Sequence, residues 1–361
     1  MNLYVSTRKG LFVYDCARWT LEARAFVGDP VSLTLPARPA AKGEGPSQEP
    51  ALAALHLGHF GTKLRAVTGN QGTDLAVPVY PEQPAEAADD VKWSLEQIWS
   101  LERDAAGTYW AGTIPGGLFR SDDLHGGWTL VRSLWDRPER KKWFGGGYDK
   151  PGIHSVCVHP EDPNELLVAV SCGGVWRSTD RGETWSLEGE GLVAEYLPEG
   201  QHETKETQDP HAVRRCRAVP EVLWMQHHNG VFRSTDGGQR WTSIRVPPSA
   251  FGFAVAAHPS DPNTAWFVPA VKDEQRVPVD GAVVVSRTRD GGETFEVLRD
   301  GLPQEDAYDL TYRHALDIDD SGNTLAFGST TGSLWISEDQ GEHWRSLSNH
   351  LPPIYAVRFG D

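Results

Sequence analysis

A short template, Ser/Thr-x-Asp-x-Gly-x-x-Trp/Phe, returns along this chain at nearly constant spacing, and that recurrence limits the fold more than any other feature. Good copies begin at Ser178, Ser234, Thr288 and Ser337, and a fifth runs from Ser121 to Trp128 with His125 in the Gly position. A degenerate sixth spans Thr68 to Leu75, with Asn70 in the Asp place. The acidic or Asn positions are 70, 123, 180, 236, 290 and 339, so the intervals are 53, 57, 56, 54 and 49 residues. Each template residue has a mechanical reason: the carboxylate and hydroxyl accept or donate to turn amides, Gly supplies positive φ, and the aromatic packs between hairpins. A period of this length is the size of a four-stranded unit.

Four strands can be read around each copy. Around Asp180 they are His154–Val158 as the inner strand, Leu166–Val170, Val175–Ser178 and Trp185–Leu187, all β-branched, aromatic or alternating. Further inner strands are expected at Val31–Leu35, Ile98–Glu102, Ala212–Ala218, Phe253–Ala257 and Leu310–Leu316. The last inner strand, Ile354–Phe359, has nothing after it, so the N-terminus must complete its sheet with Leu3–Ser6, Leu11–Tyr14 and Trp19–Phe26. The expectation is all-β: one domain over residues 1–361, a seven-bladed β-propeller closed by its two ends in one blade. At 361 residues, with 14 Trp, 37 Gly and 25 Pro, the chain is too long for one simple core and rich in the residues that many short strands and turns need. Pro36–Pro50 and Val193–Pro210 read as surface loops, the second long enough to form a lid.

The template copies resemble the BNR or Asp-box superfamily, which includes sialidases, sortilin-type receptors, xyloglucanase-type glycosidases and the photosystem II stability/assembly factor. Over nearly the whole length, segments such as Trp143–Asp149, Gly152–Ser155, Gln208–His211, Gln226–Asn229, Lys272–Arg276 and Tyr308–His314 are similar to bacterial proteins labelled BNR-like, sialidase-like or glycosyl hydrolase. A sialidase would need an arginine triad, and the resemblance would draw it from Arg8, Arg276 and Arg313.

The blade reading sorts polar residues by end. Asp boxes occupy the third-to-fourth-strand turns, so the other two kinds of connection open at the opposite end. Arg8, Lys9, His56, His59, Thr113, Cys172, His227, His228, Lys272, Asp273, Glu274, Arg276 and Thr330 fall in the second-to-third connections. Trp143, Tyr148, Asp149, His154, Asp209, His211, Tyr308, Asp309 and Tyr355 fall in the connections between blades or at starts of inner strands. They are expected to converge on a polar mouth. Within it His154, His211, His227 and His228 are the expected ligands of a divalent metal ion. Glu274, Asp309, Tyr308, Asp149 and Arg276 are the expected catalytic residues, and Arg8, Lys9, His59, Trp143, Tyr148, Lys272 and Arg313 the ligand-binding ones. His227 and His228, if both in strand, should face opposite ways. Glu274 with Asp309 or Asp149 would be a carboxylate pair whose separation sets glycosidase stereochemistry.

Composition narrows the partners. With 34 Lys and Arg against 50 Asp and Glu, the formal charge of −16 would repel nucleic acid. The first residues carry no secretory signal, no run is long enough to span a membrane, and the four scattered cysteines fit a reducing cytoplasm. Two readings stay open: a propeller binding a small molecule or glycan, as a glycoside hydrolase-like or metal-dependent hydrolase or lyase, and a noncatalytic scaffold that binds a protein on the same rim.

Overall fold

A computed structural model describes the chain except for residues 39–48, 88, 89 and 361. The expected loop 36–50 therefore lies largely outside the described residues. Seven four-stranded antiparallel sheets follow one another, and the fold is a seven-bladed β-propeller with almost no helix. No helix is long and apolar enough to cross a membrane among the described residues.

The sheets group into two compact units. The first, Met1–Leu75, Val246–Pro259 and Asn263–Asp361, carries four blades. One of them joins the ends of the chain: Ile354–Gly360 pairs antiparallel with Asn2–Thr7, which pairs with Gly10–Asp15 and then Thr20–Ala25. The second unit, Ala76–Arg245 with Ser260–Pro262, carries three blades, whose first strands are Gln97–Arg103, Ile153–Val158 and Pro210–Arg215. Its core lies between blade faces. Trp110 and Leu118 of one blade pack with Val156, Leu166 and Trp176 of the next, and Leu167 and Val175 pack with Val213, Met225 and Trp241. Each fully buried apolar side chain of this kind contributes about 1.5–3 kcal/mol.

Four Asp boxes close on themselves as their residue types require. In the Asp180 turn, Ser178 Oγ donates to Asp180 Oδ1 at 2.8 Å, and the Gly182 amide donates to Ser178 Oγ at 2.8 Å. The Trp185 indole donates to Gly182 O at 3.1 Å, and Gly182 sits at φ 82°. The same bonds recur at Ser234–Trp241, while the hydroxyl, carboxylate and Gly bonds recur at Thr288–Phe295 and Ser337–Trp344. The copy with His125 differs: Ser121 Oγ donates to the carbonyls of Asp123 and Gly127. The Asn70 copy is not a box at all. Thr68 pairs with Gln71 across a two-residue Gly69-Asn70 turn, and Asn70 Oδ1 accepts from the Arg24 amide of the adjoining blade at 2.8 Å.

Two strand expectations need correction. Leu310–Leu316 is not a strand, because Leu310 O accepts from the Thr330 amide and Ala315 N turns back onto Tyr312 O; the strand is Leu316–Ile318. The first strand expected at Ala212–Ala218 begins earlier, at Pro210, and ends at Arg215.

Candidate functional site

The first strands of the second unit share an irregularity. Their pairing with the second strands slips between Ile98 and Ser100, between Ile153 and Ser155, and between Pro210 and Ala212. Each slip is a β-bulge in which an extra residue is accommodated, a device that re-aims side chains. The extra residues are Trp99, His154 and His211, all buried. Serines secure two of the bulges: Ser100 Oγ donates to Ile153 O at 2.9 Å, and Ser155 Oγ accepts from the Val213 amide at 3.1 Å while lying 3.0 Å from His154 Nδ1. Trp99 meets the His154 ring edge-to-face at 5.5 Å and the Tyr148 ring likewise at 5.1 Å.

Asp209, just before the third bulge, is the centre of a second group. Its Oδ1 accepts from Ser171 Oγ at 3.3 Å and from the Cys172 amide at 3.1 Å. Its Oδ2 lies 3.4 Å from His211 Nε2 and 3.4 Å from His228 Nδ1. The backbone pins this arrangement, since the His228 amide donates to Asp209 O at 3.0 Å. Cys172 itself is held at φ 46°, a conformation that costs a non-glycine residue energy and recurs at functional sites.

His227 and His228 do part company, but not by strand alternation: His227 ends the strand Leu223–His227 and His228 lies in the turn that follows. His227 is fully buried with both ring nitrogens 3.1 Å from backbone amides, of Asp209 and of Asn229. Burial drives its pKa down to about 3 against the pull of the Asp209 carboxylate, so the ring is neutral and structural. His228 is partly exposed and stands edge-on to Tyr196 at 4.8 Å. Tyr196 comes from the 193–210 loop, and its hydroxyl donates to Thr207 O at 2.7 Å. Although Tyr196 is 38% exposed, desolvation around its hydroxyl, then the nearby Asp209 carboxylate, raises its pKa above the ordinary phenol value.

The glycine loop covers both groups. A methyl added at Gly146 would fall 2.8 Å from Cys172 Sγ, 2.9 Å from Ser171 Oγ and 3.3 Å from Asp209 Oδ2. Two residues on, the exposed Tyr148 reaches Trp99, and its hydroxyl donates to Gln97 Oε1 at 3.3 Å. Trp143, at the other end of this loop, is a core residue rather than an open contact surface: it packs on Trp176 at 5.8 Å because Gly116 and Gly173 leave room for its ring. It also lines a cavity of about 270 Å3 with Glu86, Asp90, Trp135 and Arg140.

The other expected residues are placed as follows. Asp149 is exposed beyond the glycine loop. In the first unit Glu274 is exposed and 3.6 Å from Lys272 Nζ. Arg276 pairs with Asp273, and its guanidinium and that of Arg313 lie 5.3 and 5.2 Å from the Phe253 ring centre. Asp309 Oδ1 accepts from Ser329 Oγ at 2.6 Å and from Thr331 Oγ1. Tyr308 is exposed; Arg8 and Lys9 form an exposed strand turn; His59 is exposed against Phe60. Thus His154 and Tyr148 each meet Trp99, and His211 comes together with His228, within the second unit. Trp99, Ser171 and Tyr196 escaped the sequence reading, although the parallel Ile98-Trp99-Ser100 and Ile153-His154-Ser155 triplets mark equivalent bulges.

The sheets and their turns define an Asp-box β-propeller. A family model described as BNR/Asp-box repeat matches residues 176–187, the hairpin around Asp180. The chain is 26% identical over 143 residues to xyloglucanase Xgh74A of Acetivibrio thermocellus, a match covering 37% of this chain and 16% of that protein. It spans only 16 to 24% of the xyloglucanases it matches. Among solved structures, the GH74 enzyme of Niastella koreensis superposes with a TM-score of 0.60 at 14% identity, covering 95% of this chain and 52% of the other. YCF48 of Cyanidioschyzon merolae gives 0.51 at 13% identity, covering 83% and 82%. At such identities these two likenesses speak for the fold alone.

Proposed function

We propose that the chain is a glycoside hydrolase-like propeller that binds a glycan or a small polar molecule at the loop end of its second unit. The observation that carries this is the juxtaposition, under one glycine loop, of an aromatic pair, Trp99 and Tyr148, with a polar group, Asp209, His211 and His228. Sugar rings present C–H faces to aromatic rings, and an oriented imidazole–carboxylate pair is suited to moving protons. Asp209 steers the two imidazoles, and His228, the more exposed, faces a bound molecule. The similarity to xyloglucanases supports a glycan as the substrate class. Four cysteines without a disulfide support a reducing, cytoplasmic setting.

The test is to incubate the purified chain with xyloglucan and a panel of oligosaccharides, following new reducing ends and heat of binding. Binding or turnover that Tyr148→Ala weakens and Asp209→Asn abolishes is expected. A folded chain that neither binds nor cleaves any glycan rejects the glycoside hydrolase-like reading.

A further inference from the structure

We propose that Asp209, His211 and His228 hold one divalent first-row transition-metal ion with a coordination position left over for a water or a substrate. This deepens the functional reading by naming what the three side chains grip, and it stands or falls on metal uptake rather than on turnover.

The distances are the first support. The donor atoms of the three residues all lie within 4.8 Å of one another, and each imidazole nitrogen is 3.4 Å from the same carboxylate oxygen. That is longer than the 2.7–3.2 Å usual for an N–H···O bond. These two edges match the roughly 3.3 Å of a tetrahedron with metal–ligand bonds of about 2.05 Å, and the two imidazole nitrogens, within 4.8 Å of each other, close to that edge when an ion binds.

The division of labour on the carboxylate is the second. Ser171 Oγ and the Cys172 amide engage Oδ1, leaving Oδ2 directed at the two imidazoles. Metal-binding carboxylates are commonly oriented by hydrogen bonds of this kind from an outer layer. His227 supplies further rigidity, because Asp209 N donates into its Nε2, and this engagement is why it is not itself a ligand. His154, turned to Trp99 and Ser155, also stands outside the set. The four-histidine expectation therefore becomes two histidines and a carboxylate.

The donor types choose the ion. Two imidazoles with one carboxylate suit Zn, Fe, Co or Ni, whereas Mg and Ca prefer an all-oxygen shell. Three protein ligands are one short of a closed structural zinc site. The fourth position is left to a water or a substrate oxygen; the Gly146 backbone packs close against the group, since a Cβ there would fall 2.8 Å from Cys172 Sγ, 2.9 Å from Ser171 Oγ and 3.3 Å from Oδ2. Such a bound water loses its proton far more readily than bulk water, which supplies a nucleophile for hydrolysis at neutral pH.

The experiment uses the full chain, purified without chelator for elemental analysis, then stripped and titrated with Co(II) while visible d–d absorption is followed. One Co(II) per chain is expected, displaced by Zn(II) and not by Mg(II). His228→Ala, at a partly exposed side chain, should weaken uptake at least about 100-fold, and Ser171→Ala by about 10- to 100-fold. Glu274→Gln, in the other unit, should change nothing. Should Asp209→Asn or His211→Ala fail to fold, the His228 and Ser171 variants decide the matter. A folded wild-type chain that takes up no cobalt, or uptake that survives His228→Ala undiminished, overturns the proposal whatever the chain does to glycans.

Discussion

The turn at Asp180 and the loop end at Asp209 belong to the same three-blade unit and use the same chemistry, a carboxylate receiving a serine hydroxyl and a backbone amide. At Asp180 the partners are local: Oδ1 accepts from Ser178 Oγ and the Thr184 amide, both at 2.8 Å, and Oδ2 from Thr184 Oγ1 at 2.6 Å. Both oxygens are engaged within seven residues of chain. At Asp209 the hydroxyl and amide come from Ser171 and Cys172, on the preceding blade, and the second oxygen is given to two imidazoles. A carboxylate closed on its own turn holds a hairpin together; one held from a distance with an oxygen turned to imidazoles is arranged for something else.

If that contrast is right, stability and metal uptake should separate under mutation. The largest stability loss is expected from Trp241→Ala, which removes a buried box indole packed with Leu167, Leu192 and Met225. About 3–5 kcal/mol should disappear from the unfolding free energy in denaturant, with cobalt affinity unchanged at a temperature where the variant is folded. A loss below about 1 kcal/mol would mean that the boxes do not lock blade to blade. Asp180→Asn should cost about 1–2 kcal/mol and again spare uptake, whereas Asp209→Asn should lower cobalt affinity at least about 100-fold. Equal effects of the two Asp variants on uptake would erase the distinction. Gly146→Ala sharpens it further: the added methyl must push against Cys172 Sγ and Ser171 Oγ, so binding of a molecule beside Asp209 should weaken by about 10-fold, with an overpacking cost of about 1–3 kcal/mol in unfolding. Undiminished binding in that variant would show that the packing of Ser171 and Cys172 against Asp209 does not matter to the bound molecule.

The same contrast explains what could be read from residues alone. The boxes were legible because each closes within one short stretch, so Ser178, Asp180, Gly182 and Trp185 appear together and repeat. The pairing of the two chain ends was legible because Ile354–Phe359 had to find neighbours and Leu3–Ser6 offered them; the structure pairs Leu3 with Phe359 and Val5 with Val357. The bulges were not, because reading strands by alternation assumes two residues per repeat, and Trp99, His154 and His211 are the residues that break that count. His154 and His211 stand out by their chemistry. Trp99 passed as an ordinary strand residue. Nor could sequence rank His227 against His228: the difference between a buried ring facing amides and a partly exposed one facing Asp209 is set by how the Gly230–Ser234 hairpin turns back at His228 and Asn229. Leu310–Leu316 misled in the opposite direction, since it reads as a strand while Leu310 O takes the Thr330 amide and Ala315 N turns back onto Tyr312 O.

The boxes also differ from one another in one testable way. Four residues after the aspartate stand Thr184, Arg240, Thr294 and His343. Thr294 donates both its hydroxyl and its amide to Asp290, holding that carboxyl at about 2, below its ordinary value. Its stabilising contribution is full above an unfolded value of about 3.9 and is lost as pH falls through about 2. In the last box an imidazole takes the threonine's place, His343 Nδ1 lying 2.7 Å from Asp339 Oδ2, and that carboxylate raises the imidazole's pKa. A group with a raised folded pKa contributes fully below its unfolded value of about 6.5 and loses that contribution as pH rises through the folded one. Wild type should therefore lose a little stability between pH 6 and pH 9 that His343→Thr, which copies the Asp290 box, does not lose. The effect is small because the pair is solvent-exposed. Denaturant unfolding at the two pH values reads it as a difference of differences, and parallel pH slopes for the two proteins would show that the imidazole adds nothing to its box.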